Sequence, residues 1–559
     1  MINILDKGRF HFSYGLALAP LAEGGEDDSL LLTAANQLNL AGPEAVQDKS
    51  QNVIVADLNL QAGKKAMEMS DFVLAYSYFN NGISFLRKKH WVEHYSLSLE
   101  LFDLAAKCAL TNRDIVRLKL HYEEVIAHGR SYEDKLNVMY FFTRALASSS
   151  RLPESIEMTL NILANVGIEL RGNESSMDAC VQETKDLLSV CTGDEILNTK
   201  CMTDPTMITA MKFLGKLLVG MSNTRPKSAP HVMQRIIQLS LEHGMSPVSP
   251  IGFVHLGSYI AKLGDISEGY HYVKLARSLL DKNGYRESSG EVVFIGTHVR
   301  AYVEPLQATL EYHNEGYVAA MASGDIMQAA LNISLGNRLF FFSGVNLQTV
   351  RGKMADSVNF MQERKMLIFM IHLQYLQHTV FELIGTDEKP KYDSPEEKNI
   401  LATNPNVMTT YYFHGAYTSF VFRFYDDSRL NAEKYLDCIV NTWANLTYAH
   451  SVHAFYMGLI YFWLARNSRE EQQWHERGKR SKLALKKWAE SSQWTFENKW
   501  YLLEAEESYC NGDFDTANKF YEKAISSAKE HKVSVKCIGR ALVRLIALLF
   551  TDGICALLF

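Results

Sequence analysis

Residues 57–86 carry the pattern that decides the fold, and they read DLNLQAGKKAMEMSDFVLAYSYFNNGISFL. Apolar and small residues recur at helical spacing on both sides of the central Ser70-Asp71-Phe72, which predicts two helices joined by a short turn. The Asp71 carboxylate can accept backbone N–H groups at the start of the second helix and oppose the positive end of its dipole. We therefore interpret this stretch as an antiparallel helical hairpin.

Small residues occur where the two helices of this hairpin would meet. Gly63, Ala75 and Gly82 allow helix backbones to approach closely. Phe79 can fill the space between one hairpin and the next. Together these residues fit the tetratricopeptide frame, a helical-hairpin repeat of about 34 residues.

The same turn recurs along the chain, and in each copy an Asp is followed by Phe or Ile. The five turns are Ser70-Asp71-Phe72, Arg113-Asp114-Ile115, Gly264-Asp265-Ile266, Gly324-Asp325-Ile326 and Gly512-Asp513-Phe514. In the last unit Ala517 and Tyr521 take the places of Ala75 and Phe79. An internal repeat of this kind predicts an all-α fold, a superhelical solenoid of antiparallel helical hairpins similar to tetratricopeptide repeats.

Length and composition agree with an extended array. The chain has 559 residues and only 12 prolines, which favours long helices in several domains or one elongated stack. The net charge of −6 gives no nucleic-acid footprint, and the charged N-terminal stretch is not a secretory signal. The eight scattered cysteines are typical of a reducing compartment. We expect a cytoplasmic protein that binds neither nucleic acid nor membrane.

Three regions follow from the pattern. Residues 1–55 differ from the rest, and the solenoid is expected over 56–540. Irregular insertions are expected near 171–206 and 385–406, where polar residues, Gly and Pro cluster. The tail at 541–559 is apolar but interrupted by charges, so we predict a final buried helix that is truncated rather than a membrane anchor.

Motifs for catalysis are scarce in this sequence. It has no phosphate-binding loop, dinucleotide fingerprint or nucleophile elbow. One match is His90-Trp91-Val92-Glu93-His94, which has the HxxEH spacing of an inverted zinc-protease motif. Two such histidines on one helix face can hold zinc while the glutamate activates water. A zinc-dependent hydrolase using His90, Glu93 and His94 is therefore an alternative, but we interpret the motif as ordinary helix-start residues and predict no enzyme activity and no cofactor.

A basic run lies towards the end of the repeat pattern. It contains Arg477, Lys479, Arg480, Lys482, Lys486 and Lys487. A helix would distribute these charges around its surface, and the upstream Glu476 can neutralise part of them. We interpret the run as a solvated helix face, with contact to an acidic partner as the alternative.

Several segments resemble a known region of larger proteins. They are Ala35–Asn39, Asp57–Ala66, Trp91–Tyr95, Gln238–Pro247 and Lys487–Glu490. Over roughly residues 10–530, the chain is similar to the helical-repeat section of multidomain signalling proteins of the predicted-ATPase class. Those proteins carry a serine/threonine kinase domain, an AAA-type ATPase domain and this helical section, and many continue into a GAF domain and a histidine kinase. None of their catalytic parts matches residues of this chain.

The resemblance implies a non-catalytic scaffold for protein–protein interaction in signal transduction, between an ATPase and an output kinase. Residues 1–55 would then be the exit from the upstream ATPase-associated helical region. The implied partners are proteins or peptides, including kinase, ATPase and GAF modules of the same pathway. Candidate contact residues are Asn80, Asn81, His121, Tyr122 and the basic run at 477–487. The alternative is that the chain is a fragment of a larger ATP-binding kinase polypeptide.

Overall fold

The structure, a computed structural model, describes residues 4–22, 28–46, 48–149, 151–170, 176–386, 394–439, 448–467 and 471–531. Within these ranges the chain consists of α-helices, with short 3-10 helices at Pro43–Ala45 and Leu306–Ala308. An isolated bridge joins Cys201 to Met245, and the same ranges contain no β-sheet. The chain divides into two compact units, Met1–Gly252 with Ala320–Ile326, and Phe253–Ala319 with Met327–Phe559.

The first unit contains helices α1 to α13 and the beginning of α14. The bounds are α1 Ile4–Ala22, α2 Asp28–Ala41, α3 Lys49–Glu68, α4 Phe72–Phe85, α5 His90–Glu93, α6 Tyr95–Thr111, α7 Ile115–His128, α8 Tyr132–Ser148, α9 Leu152–Asn165, α10 Met177–Leu188, α11 Gly193–Leu197, α12 Pro205–Thr224, α13 Ala229–His243 and α14 Ser249–Leu263.

The second unit contains the helices from α15 onward, except for the turn between α17 and α18. The bounds are α15 Ile266–Asn283, α16 Ser289–Arg300, α17 Thr309–Ser323, α18 Ile326–Phe342, α19 Leu347–Glu363, α20 Leu367–Ile384, α21 Pro395–Thr403, α22 Pro405–Val421, α23 Tyr425–Cys438, α24 Ala449–Asn467, α25 Glu471–Ser491, α26 Gln493–Cys510 and α27 Phe514–Glu530.

Consecutive helices pack against one another as hairpins. In the first unit α1 packs on α2, α3 on α4 and α6 on α7, and in the second α19 packs on α20 and α22 on α23. The end of the second unit repeats the arrangement with α24 on α25 and α26 on α27. This pairing buries the apolar stripe of each helix against its neighbour. It confirms the predicted fold class, an all-α solenoid of antiparallel helical hairpins.

The five predicted turns share one backbone geometry. The residue before each Asp has a left-handed φ, from 58° at Arg113 to 110° at Gly264. The Asp N–H then bonds to the carbonyl oxygen five residues earlier, as in Asp71 to Ala66 at 2.9 Å. This bond closes the preceding helix in a Schellman motif. Glycine adopts the left-handed conformation freely, whereas Ser70 and Arg113 adopt it at a cost in backbone strain.

Aspartates at these turns also cap the helix that follows. At four of the five turns the carboxylate accepts the backbone N–H three residues later, which satisfies a donor that has no partner inside the helix. The pairs are Asp71 with Leu74 (2.9 Å), Asp114 with Arg117 (3.0 Å), Asp265 with Glu268 (2.9 Å) and Asp513 with Thr516 (3.0 Å).

The turn that contains Asp325 belongs to the first unit, and there the Asp325 side chain forms ion pairs with two other helices of that unit. Its carboxylate lies 3.0 Å from Nη2 of Arg144 and 3.2 Å from Nζ of Lys216, and the residue is buried. These two cations lie on α8 and α12. Gly324 beside it comes so close to Phe72 that an added Cβ would lie 2.8 Å from the ring. The turn Gly324-Asp325-Ile326 is therefore held by ion pairs and packing that the repeat pattern does not show.

The small residues of the first hairpin allow the predicted close packing. An added Cβ at Gly63 would overlap the ring of Phe79, which is fully buried. At Gly82 an added Cβ would lie 2.9 Å from the Leu101 side chain. Ala75 is also fully buried. In the last hairpin Ala517 and Tyr521 are buried in the corresponding places.

Two predicted insertions are more regular than expected. The region near 171–206 contains α10 and α11, and Asp204 caps α12 by accepting from the Thr206 N–H at 2.9 Å. The region near 385–406 contains α21, whose start is a capping box between Ser394 and Glu397. The assignment of these regions as irregular insertions stays a prediction, and the short helices in them are set by local capping bonds, which need little apolar periodicity.

The predicted region boundaries stay predictions, with one structural observation beside them. Helix α3 begins at Lys49 and runs through the expected boundary between residues 55 and 56. The hairpin pattern also begins earlier than expected, since α1 packs on α2. The apolar tail at 541–559 lies outside the described residues.

Candidate interaction surfaces

His121 lies in the interior, where α7 meets α4. The Tyr76 hydroxyl is 3.1 Å from its Nε2, and the ring of Phe102 packs against it edge-on with 5.6 Å between the ring centres. Burial lowers the pKa of His121 to about 4, so the imidazole is neutral near neutral pH. This predicted contact residue therefore belongs to the core and offers little surface to a partner.

The other predicted contact residues of this region differ in exposure. Tyr122 is half-buried and stacks on Phe142 with ring centres 4.3 Å apart. Asn81 is also half-buried, and its carbonyl oxygen accepts a bond from the Ser84 hydroxyl. Asn80 is exposed and lies two helical turns after Val73, on the same side of α4. Of the four, Asn80 is the one that the structure places on an open surface.

An exposed apolar patch lies at the starts of α4 and α7. It consists of Met69, Val73, Ile115, Val116 and Leu120, which are 43–74% exposed, and we call it the α4/α7 apolar face. The Asn112 side-chain amide donates to the carbonyl oxygen of Phe72 at 3.0 Å, which joins the two turns. The Arg117 guanidinium lies 5.2 Å from the centre of the Tyr76 ring and joins the two helices.

The sequence analysis did not single out this apolar face. The signal was available, because Val73 and Val116 both stand two residues after the turn Asp. That place lies off the helical series of Phe72, Ala75 and Phe79, which faces inward.

The basic run on α25 is largely neutralised by the chain itself. Lys482 lies 2.9 Å from Glu504 and also pairs with Glu507, both on α26. Lys479 pairs with Glu476 at 3.1 Å. Arg477 lies against the ring of Trp474 and is half-buried.

Three cations of the run remain on the open surface. Arg480, Lys486 and Lys487 are exposed, and the Lys486 ammonium lies 5.5 Å from the Trp500 ring centre. Most of the charge that the sequence displays is therefore engaged in ion pairs and ring contacts. This agrees with the interpretation of a solvated helix face better than with a continuous basic patch.

The HxxEH motif does not form the helix face that a zinc site requires. Helix α5 ends at Glu93, and His94 has non-helical backbone angles, φ −134° and ψ 50°, at the junction with α6. His90 is turned inward, where its Nδ1 lies 2.9 Å from the Ser98 hydroxyl and its ring stacks on Phe102. No group of three or more possible metal ligands occurs among the described residues.

A small cavity in the second unit contains an arginine between histidines. Arg338 on α18 lines it together with Thr410, His414, Tyr448 and His453. Nη2 of Arg338 lies 3.0 Å from Nδ1 of His372, whose pKa burial lowers well below its ordinary value. Burial likewise lowers the pKa of His414 to about 3. The cavity is thus lined by one cation and neutral imidazoles.

Sequence reasoning missed this cavity because its members are far apart along the chain. Arg338, His372 and Thr410 are brought together by three different helices. No spacing within one segment could indicate such a cluster.

Comparisons with known proteins identify no family. No family model and no curated protein matches the chain. Among solved structures, a complex described as "Structure of Naa15/Naa10 bound to HypK-THB" is similar at 9% sequence identity and a TM-score of 0.21, over 99% of this chain and 98% of that chain. That similarity is too low to support a statement about function. Among the described helices, none combines the length and apolar character that crossing a bilayer requires.

Proposed function

We propose that this protein is a non-catalytic helical-repeat scaffold that binds other proteins in signal transduction. The observation that supports this most is the α4/α7 apolar face. Stacked hairpins bury apolar side chains against their neighbours, yet five apolar residues at two adjacent turns remain exposed here. Contiguous exposed apolar residues are typical of surfaces that contact another protein.

The energetic argument favours a protein partner over a small molecule. Val73, Val116 and Leu120 lie near the starts of two helices, and the most exposed of them is 74% accessible. Burying one such side chain contributes about 1.5–3 kcal/mol to binding. The flat, complementary surface of a protein partner can bury several of them together. Asn80 on the same side of α4 would form part of the polar rim of that contact.

The signalling context of the proposal rests on the sequence resemblance. The five quoted segments occur in the same order as in the predicted-ATPase class, so we place this chain between an AAA-type ATPase and an output kinase module. The partners would be kinase, ATPase or GAF modules of a cytoplasmic pathway. The alternative, a piece of a larger kinase polypeptide, predicts that the reading frame continues into ATPase and GAF-like sequence on a sequenced transcript.

The test is a binding measurement with the full chain and matched surface variants. Purified protein at micromolar concentration is titrated with recombinant ATPase, GAF and kinase modules, and with itself. The triple variant Val73→Ser, Val116→Ser and Leu120→Ser removes the α4/α7 apolar face. Val190→Ser is the control, since Val190 is 82% exposed but lies after α10, away from the two turns in sequence.

The proposal expects saturable binding by wild type and by the control variant, and at least tenfold weaker binding by the triple variant. Circular dichroism and thermal unfolding should be unchanged in all three, because surface substitutions usually alter stability by about 0.5 kcal/mol or less. Binding that is absent in wild type, or equally strong in the triple variant, would overturn the proposal for this face.

A further inference from the structure

Arg338 carries a positive charge into the second unit without a carboxylate beside it. Its Nη2 lies 3.0 Å from Nδ1 of His372 and 3.5 Å from the Thr410 hydroxyl oxygen. Both are neutral acceptors. Among the described residues Arg338 forms no ion pair within 4.0 Å.

Other buried arginines of the same unit have carboxylate partners. Nη1 of Arg466 lies 2.6 Å from Glu506, and Nη1 of Arg300 lies 2.7 Å from Glu304. A guanidinium withdrawn from water is ordinarily paired in this way, since desolvation of an unpaired charge is costly. Burial accordingly lowers the pKa of Arg338 from its ordinary value. Arg338 thus differs from Arg466 and Arg300, whose charges are paired.

The surroundings of Arg338 provide hydrogen-bonding groups, and none of the described residues that line the cavity is acidic. His414 and His453 line the cavity with it, and burial lowers the pKa of both imidazoles. The hydroxyl of Tyr448 donates to the Leu335 carbonyl oxygen at 3.2 Å.

The geometry of the guanidinium leaves donors available. Arginine has five N–H donors in a planar fork that matches a carboxylate. The hydrogen bonds of Arg338 to His372 and Thr410 both involve Nη2. Arg338 is intermediate in exposure and its remaining surface lines the cavity. The cavity measures about 10 Å³, which is room for about one water-sized group.

We propose that this cavity binds one carboxylate group, held by the Arg338 guanidinium and by the imidazoles and the Thr410 hydroxyl around it. The charges match, because one guanidinium among neutral imidazoles balances a single negative charge. A phosphate group carries about 1.5 to 2 negative charges, which is more than one cation balances. The carboxylate can come from a small organic acid or from the C-terminus of a peptide, and the site is independent of the scaffold function proposed above.

The experiment measures carboxylate-dependent stability of the full chain. Thermal unfolding of wild type is followed in a low-salt buffer with increasing sodium acetate, with sodium chloride at equal ionic strength as the reference. Two further titrations use a short peptide with a free C-terminal carboxylate and the same peptide amidated. Arg338→Met removes the charge at similar volume, and Arg429→Met is the control, since Arg429 is an exposed arginine paired with Glu433.

The proposal expects acetate to raise the unfolding temperature of wild type and of Arg429→Met with saturation, beyond the effect of chloride. The apparent affinity for acetate should fall at least tenfold in Arg338→Met. A free-carboxylate peptide that binds more tightly than acetate, while the amidated peptide does not, would assign the site to a peptide. An acetate affinity that the peptide does not exceed would assign it to a small acid.

An equal response of wild type and Arg338→Met to acetate would overturn the proposal, as would no response of wild type beyond chloride. Because a core substitution can prevent folding, Arg338→Lys provides a second test. It keeps the charge but loses the planar fork. Its acetate affinity should lie below that of wild type, and an unchanged affinity would also count against the proposed binding mode.

Discussion

Of the hairpins that carry the repeated Asp turn, the first, α3–α4, and the last, α26–α27, share the geometry of that turn. They differ in what surrounds it. Asp71 and Asp513 cap their helices with the same geometry, at 2.9 and 3.0 Å. The residue that follows is buried in the first hairpin, where Phe72 is 8% exposed, and open in the last, where Phe514 is 56% exposed. One residue further on, the first hairpin exposes Val73 and the last exposes Asp515.

The interiors of these two hairpins differ as well. The first packs the ring of Phe79 directly over Gly63. The last holds a buried charge, since Glu506 accepts the Tyr521 hydroxyl at 2.6 Å and pairs with Arg466 at 2.6 Å. The comparison teaches that the repeat pattern determines the turn, whereas the core and the exposed surface vary from hairpin to hairpin. Function therefore has to be sought in what varies.

The largest expected effect comes from breaking the charge cluster of the last hairpin. Glu506→Gln leaves the Arg466 guanidinium buried without its carboxylate and should lower the free energy of unfolding by about 3–5 kcal/mol. Urea unfolding followed by circular dichroism measures this. The exposed ion pair between Lys479 and Glu476 provides the control. Glu476→Gln should change the free energy of unfolding by about 0.5 kcal/mol or less. Equal losses of stability in Glu506→Gln and Glu476→Gln would show that the buried ion pair stabilises the fold no more than the exposed one.

The two turn phenylalanines should respond very differently to truncation. Phe72→Ala empties a buried position and should cost about 3–5 kcal/mol, while Phe514→Ala removes a mostly exposed ring and should cost about 1 kcal/mol or less. The same unfolding measurement on both variants tests this. A similar loss for both would contradict the difference in burial on which the comparison rests.

The close approach in the first hairpin gives a smaller effect. Gly63→Ala places a Cβ against the Phe79 ring and should cost about 1–3 kcal/mol through overpacking. An exposed helical glycine would instead gain about 0.5–1 kcal/mol from the same change. Gly352→Ala is the matched control, since an added Cβ there meets no atom within 4 Å. Stabilisation of Gly63→Ala would show that the two helices are further apart than described.

The smallest effect on stability is expected from removing the aspartate N-cap that the two hairpins share. Asp71→Ala and Asp513→Ala each remove one N-cap and should lower stability by about 1 kcal/mol. The two losses should agree within experimental error, because the cap geometry is the same in both hairpins. A loss confined to one of them would show that the cap depends on the tertiary surroundings of the hairpin.

The turns and the close helix contacts were predictable because they depend on residues near one another in sequence. Asp71 and its capped N–H, and Gly63 with Phe79, lie within one hairpin. The capping boxes at Thr192–Glu195 and Ser394–Glu397, which start α11 and α21, are also visible in the sequence. Local hydrogen bonds of this kind can be read from spacing.

The features that involve distant residues were not predictable. Asp325 pairs with Arg144 and Lys216, and Lys482 of the basic run pairs with Glu504 on the next helix. Within the part of the chain that the structure describes, Arg338 has no carboxylate partner, and this depends on what the fold places around it. These contacts depend on which helices become neighbours, which no spacing within one segment specifies. The exposure of Val73 also required the structure.

The most direct test of the proposed function uses the matched positions of the two hairpins. A photo-crosslinking amino acid is placed at position 73 or at position 515 of the full chain, both of which are exposed in the structure. Each protein is irradiated with the ATPase, GAF and kinase modules, and the adducts are identified by mass spectrometry. The scaffold proposal predicts a covalent adduct with a module from position 73 and none from position 515. No adduct from position 73, or equal adducts from both positions, would contradict it.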